Sequence, residues 1–167
     1  MVHKLRKAIG QRDDRYTLEG MIEMDEGYFT IEASKYGDET QKSGRGSKTK
    51  SNVMIMAEST ILEDIKTGKL ERQCRYFKAK VLEDNKADGT DKTFENSIND
   101  EQTTKEILKW IHIAISNAKR NFIGNYHKIK KKYLQLYLNE FVYKLNRRYF
   151  GERIFDRLVI ANITGYG

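Results

Sequence analysis

A single cysteine, Cys74, among 167 residues leaves no internal disulfide framework and no cysteine-rich zinc module. It follows Gln73 in a strand-like stretch, where a thiol reads as a buried, inert packing group rather than a nucleophile. No apolar run approaches membrane-spanning length, and "MVHKLRKAIGQRDD" lacks the apolar core of a signal peptide. The expectation is a cytoplasmic protein with no membrane partner. Proline is absent and apolar residues make up only 38%. The chain is nevertheless long enough to bury a core as one domain.

Charge is what the sequence has in plenty: 33% of residues are charged and the net balance is +7. Residues 1–100 hold 18 Lys and Arg against 19 Asp and Glu, a balance of −1, while residues 101–167 hold 13 against 5, a balance of +8. A basic half of this kind suits a polyanionic partner, above all nucleic acid. A lysine-rich helical surface that only meets water has the same composition.

Along the chain, "MIEMDEGYFTIEA" is rich in β-branched and aromatic residues and reads as a strand. "SKYGDETQKSGRGSKTK" reads as a long exposed loop, and "NVMIMAEST" as a central strand buried on both faces. A turn around Lys66, Thr67 and Gly68 leads to a third strand from about Gln73 to Val81, and a short helix is expected around Lys92–Ile98. Two long helical patterns follow the polar stretch "ENSINDEQTTKE". The first runs from about Thr103 to Phe122 and is expected to end near Gly124; the second spaces Ile129, Tyr133, Leu134, Tyr137, Leu138, Phe141, Val142 and Leu145 at helical intervals. Strands followed by helices suggest an α/β or α+β domain.

Three constellations carry chemistry. Asp25 sits in the middle of an apolar strand, where a carboxylate costs desolvation energy unless it is paired or holds a cation. Either that strand is an edge with one wet face, or Asp25 is a ligand for a hard metal ion. His112 lies beside the apolar stripe of the first long helix, with Lys119 two turns further on at nearly the same angle. Spacing alone leaves a packed histidine and a site both open. The stretch from Gly124 to Arg148 carries His127, Lys128, Lys130, Lys131, Lys132, Lys144, Arg147 and Arg148 among tyrosines. Its aromatics read as packing, and the lysines at its start as candidate phosphate contacts. "SGRGSKTK" lacks the spacing of a phosphate-cradling loop, so nucleotide binding is not expected.

Together "IEMDEGYF", "RGSKTKSNVMIMAE" and "AKRNFIGNYHKIKKKYLQLYLNEFVYKLNRR" resemble the blocks of bacterial insertion-sequence transposases, the ISXO-like group of DDE enzymes. That pattern opens with a strand E-[IV]-D-E-x-Y. It closes with K-R-x-x-x-G-x-Y-H, L-x-x-Y-L-x-E-F and N-R-R, met here by Lys119, Arg120, Gly124, Tyr126, His127, Leu134, Tyr137, Leu138, Glu140, Phe141, Asn146, Arg147 and Arg148. The resemblance implies an RNase H-like fold that cuts and joins DNA with two divalent metals, Mg²⁺ or Mn²⁺. Its partners would be transposon ends and target DNA, with a second copy or an intact transposase beside them. Asp25 matches the first catalytic aspartate. His112 falls where most members carry the third acidic residue, so both are expected catalytic and metal-binding positions. A neutral imidazole there brings no charge and favours softer ions. Lys119 matches the basic residue that holds the DNA end; Arg120, Lys130, Lys131 and Lys132 are the other expected DNA contacts.

The sequence departs from the pattern in one respect. No stretch of the form V-x-T-D occurs, because Asp84, Asp88, Asp91 and Asp100 all lie in polar, turn-like sequence. About thirty residues, by usual strand and loop lengths, are expected to be missing near 100–102. No cysteine-rich ribbon precedes residue 20. The expected organisation is a charged lead-in at 1–19, a transposase domain at 20–160 and a tail at 161–167. Its fold class would be α/β (α+β), an incomplete RNase H-like core with an antiparallel three-stranded sheet followed by long helices. The resulting expectation is a truncated, inactive transposase remnant; the alternative is a non-catalytic DNA-binding or transposase-associating fragment.

Overall fold

The computed structural model describes residues 1–32, 49–63, 68–82, 109–126 and 129–165. The basic loop after the first strand, the short helix expected at 92–98, the junction at 100–102, and His127 and Lys128 lie outside the described residues. In order come α1 (Val2–Asp14), β1 (Met21–Thr30), β2 (Lys50–Glu63), β3 (Leu70–Val81), α2 (Lys109–Asn125), α3 (Leu134–Asn146) and α4 (Ile154–Gly165). Short 3-10 turns precede α3 and α4. The fold is α+β.

The strands form one antiparallel sheet in the order β1-β2-β3. The apolar run of the second strand is central, as its composition requires, and is buried almost throughout from Ser51 to Ser59. Gly68, at a positive φ of 64° that other residues rarely adopt, lies in the β2–β3 connection. Asp25 pairs with Ile55 and Glu23 with Ala57, while Phe77 and Ala79 of β3 stand across from Ala57 and Ile55. Side chains alternate along a strand, so these residues share one sheet face with Gly27 and Phe29.

On β1 the usual binary pattern is inverted. Glu23, only 3% exposed, and the half-buried Asp25 lie on the helix-covered face, while Ile22 and Met24 are 37% and 39% exposed on the other. The edge-strand reading of Asp25 therefore holds in part. β1 is an edge strand among the described residues, yet its carboxylates face the covered side.

The covering layer is α2. It buries Ile111, Ala114, Ile115, Ala118 and Phe122 at helical intervals in one core with Phe29, Val53, Ile55 and Phe77. Each large side chain so buried contributes on the order of 1.5–3 kcal/mol. A Cβ on Gly27 would sit 3.4 Å from a methyl of Ile115, so the glycine lets the helix approach the strand closely. The helix continues through Gly124 to Asn125, past its expected end. Gly124 does not take the positive φ of a left-handed cap.

α3 closes the outer edge of β3 with side chains rather than with a strand. The Asn146 amide accepts from Phe77 N (2.8 Å) and donates to Phe77 O (2.9 Å); the Gln135 amide accepts from Val81 N (2.8 Å) and donates to Ala79 O (3.0 Å). α1 lies along α3, and because Arg6 pairs with Glu140 and Asp13 with Arg147 at the same offset in sequence, the two helices run parallel. Ile9, Tyr143 and Ala161 join α1, α3 and α4 in a second, smaller core.

Candidate functional site

β1 and α2 position the first group of candidate residues. Asp25 Oδ1 accepts the backbone N–H of Glu26 at 2.7 Å. Along the layer, Gly27 meets Ile115, and Phe29 meets both Lys119, whose Nζ is 5.9 Å from the ring centre, and the ring of Phe122 at 5.7 Å. Two strand residues rise about 6.6 Å and four helical residues about 6 Å, so strand and helix advance together. The turn of α2 that carries Ile111 and His112 therefore lies at the Asp25 end. His112 is exposed while Ile111 beside it is fully buried, so the histidine is not part of the core. Arg120 is exposed on the same helix and donates to Asn117 Oδ1 at 3.0 Å.

Among the described residues, no three His, Cys, Asp or Glu side chains come together in a group that could hold a metal ion. Asp25 and His112 are two donors, short of the carboxylate set that a two-metal centre uses. The described residues alone do not fit that pair of ions.

The expected DNA contacts divide between two surfaces. Lys119 and Arg120 belong to α2, on the Asp25 side of the sheet. Lys130, Lys131 and Lys132 precede α3, and the last two line a groove with Lys78 and Lys80 of β3, whose side chains alternate away from the α2 face. The sequence reading did not single out Lys78 and Lys80. The signal was the alternation in "YFKAKV", which puts Tyr76, Lys78 and Lys80 on one face and Phe77, Ala79 and Val81 on the other.

The closing sequence block proves to be largely a set of structural ties. Arg6 Nε donates to Glu140 Oε2 at 2.6 Å, its Nη2 donates to the Tyr126 hydroxyl at 3.2 Å, and its guanidinium lies 3.9 Å from the centre of the Tyr137 ring. Burial pushes the Glu140 carboxyl up, but hydrogen bonds from Lys144 and Arg6 outweigh it and hold the group below its ordinary value. Arg147 grips Asp13 through two bonds of 2.7 and 3.0 Å, and Arg148 Nη2 donates to Cys74 O at 3.1 Å. Cys74 is the buried thiol its sequence suggested, and burial pushes it up to about 12.

The family profile of the ISXO2-like transposase domain matches residues 80–146. Over that stretch, two-fifths of the chain, the protein is similar to insertion-sequence transposases of the ISXO group. The match takes in His112, Lys119, Arg120 and Lys130–Lys132 and begins beyond Asp25. No curated protein and no solved structure matches the chain. Within the matched stretch, residues of α3 hold helix to helix and helix to sheet. No helix among the described residues is long and apolar enough to cross a membrane.

Proposed function

We propose that this chain is a DDE-type transposase domain of RNase H-like ancestry that engages DNA and no longer cuts it. The observation that carries the reading is the family match over residues 80–146, which takes in residues 101–146 of the basic half of the chain. An antiparallel sheet followed by helices, with an aspartate on the first strand and a basic helix across it, agrees with that ancestry. Lys119 and Arg120 project from the helix that covers the Asp25 face, and their cations suit the phosphates of a transposon end. In this reading the protein is cytoplasmic, and its partners are transposon-end and target DNA together with a second copy or an intact transposase.

Two features of the sequence support loss of cleavage. The polar stretch between β3 and α2 carries no aspartate on a strand-like apolar run, and His112 brings a neutral ligand to a position where the family carries an acid. Divalent metal, where a complete DDE site holds it, activates the attacking oxygen and stabilises the leaving one. The residues described here supply Asp25 and His112 toward such a site.

The test is a labelled transposon end incubated with the purified protein and Mg²⁺ or Mn²⁺. No cleavage and no strand transfer are expected, while salt-sensitive binding of duplex DNA is. Metal-dependent joining that disappears in Asp25→Ala would overturn the inactive reading, and absence of DNA binding at low salt would overturn the whole.

A further inference from the structure

The sheet face turned away from α2 opens into a groove of about 1250 Å³. Its floor is apolar: Ile22 and Met24 of β1 and Met56 of β2 lie side by side, since Met24 pairs with Met56 across the two strands. Two of these side chains are more than a third exposed. Its rim is basic. Lys78 and Lys80 stand two residues apart on β3, about 6.6 Å along the strand, and Lys131 and Lys132 enter from the 3-10 turn before α3.

These four ammonium groups have no carboxylate partner among the described residues. Lys78 Nζ reaches only a backbone oxygen, that of Asp14 at 3.5 Å, and Lys132 Nζ lies 4.9 Å from the centre of the Tyr133 ring. Two carboxylates also line the groove. Asp13 is held by Arg147, which leaves Asp14 against four lysines. Clustered like charges beside a low-dielectric wall concentrate a positive potential and draw in a polyanion.

The geometry points to single-stranded nucleic acid as the occupant of this groove, phosphates on the lysine rim and bases on the methionine floor. A duplex keeps its base faces in the stack and would use the rim alone. A single strand exposes aromatic faces of every base, and the thioethers of Met24 and Met56 make favourable contacts with aromatic rings. The apolar floor is the feature that a backbone-only contact leaves unexplained. The inference goes beyond the transposase reading and does not need it, because it involves neither Asp25 nor His112 nor any cleavage step.

Fluorescence anisotropy with a labelled oligothymidylate and with a duplex of equal length tests it on the full chain. The wild type should bind the single strand more tightly than the duplex at low salt. Replacing Lys78, Lys80, Lys131 and Lys132 together by Gln should lower single-strand affinity at least tenfold. The slope of log affinity against log salt should fall by about 2.8, from roughly 0.7 for each lost phosphate contact. Met24→Ala, which leaves the charge of the groove unchanged, should weaken the single strand and leave the duplex nearly unchanged. The same loss of charge at Lys50, Lys69, Lys109 and Lys144 should leave single-strand affinity within about twofold. Equal dependence of both DNAs on the four lysines with no effect of Met24→Ala would overturn the inference. So would competition by polyglutamate as strong as that by oligothymidylate, which would mark the groove as a site for acidic polypeptide. Failure of the duplex binding expected of a transposase domain, with single-strand binding intact, would sink that reading and leave this one standing.

Discussion

Charged residues are handled in opposite ways at the two ends of this fold. Where α1, α3 and β3 meet, they are paired: Arg6 with Glu140, Arg147 with Asp13, Arg148 with the carbonyl of Cys74. Between β1 and α2, Asp25, His112 and Lys119 form no ion pair with one another or with other described residues. Asp25 accepts a bond from its neighbour's backbone, His112 is exposed, and Lys119 rests near the Phe29 ring. Most of the residues that make the closing block specific as a pattern belong to the first region. A highly recognisable motif can thus report a framework rather than a site.

The comparison breaks first at the framework. Asp13 and Arg147 are each only 12% exposed at the side chain. Asp13→Ala would leave a buried guanidinium without its carboxylate, and urea unfolding should show a loss of about 3 kcal/mol, the usual scale for an uncompensated buried charge. Asp25→Asn, by contrast, should leave the midpoint nearly unchanged. If Asp25→Asn proved the more damaging, the division between the two regions would be wrong.

Asn146→Ala should follow in size. It removes the one side chain that meets both backbone groups of Phe77, and an unsatisfied buried polar group costs about 1–3 kcal/mol. Hydrogen exchange localises the effect: protection at Phe77 should fall while that at Met54, inside the sheet, persists.

The same framework sets the response to alkali. Burial pushes both the Cys74 thiol and the Tyr76 hydroxyl up to about 12, whereas in the unfolded chain they titrate near 8.5 and 10. A folded pKa above the unfolded one gives stability that is whole below the unfolded value and is lost as pH climbs through the folded one. Stability should accordingly decline between about pH 8.5 and 12, and Cys74→Ala should flatten the first part of that decline. At pH 8 the native thiol should resist iodoacetamide and react fully in urea. On the acid side Glu140, held below its ordinary value, acts in the opposite sense. Its contribution is present above the unfolded carboxylate value and is lost as pH falls through the folded one, so Glu140→Gln should soften acid unfolding.

Much of the framework was legible because periodicity reports burial. Three strands, the central place of "NVMIMAEST" and the stripe of α2 all followed from apolar spacing. What spacing could not give was pairing across distance. Nothing local in "MVHKLRKAIGQRDD" says that Arg6 and Asp13 meet residues 134 positions away, and nothing in "NRR" says that Asn146 will stand in for a strand at the edge of β3. The groove was hidden for a related reason. A lone lysine on a strand reads as solvated, and Lys78 and Lys80 gain meaning only when folding sets them beside Lys131 and Lys132.

The smallest expected effects sharpen the comparison most, since they need two readouts at once. Lys119 and Arg120 lie on the helix that crosses β1, one half-buried and one exposed, and neither forms an ion pair among the described residues. Replacing either by Gln should change folding stability by no more than about 0.5 kcal/mol, as surface substitutions away from caps and networks do. If each meets one phosphate, each replacement should lower the salt slope of duplex binding by about 0.9. Arg148→Gln should behave in the reverse manner, costing stability through the lost bond to Cys74 O while leaving the slope alone. All three are basic residues of the same C-terminal half, so net charge cannot separate them. Only the difference between a charge tied to another element of the fold and one that is not predicts opposite outcomes, and a common response from all three would remove that difference as an explanation.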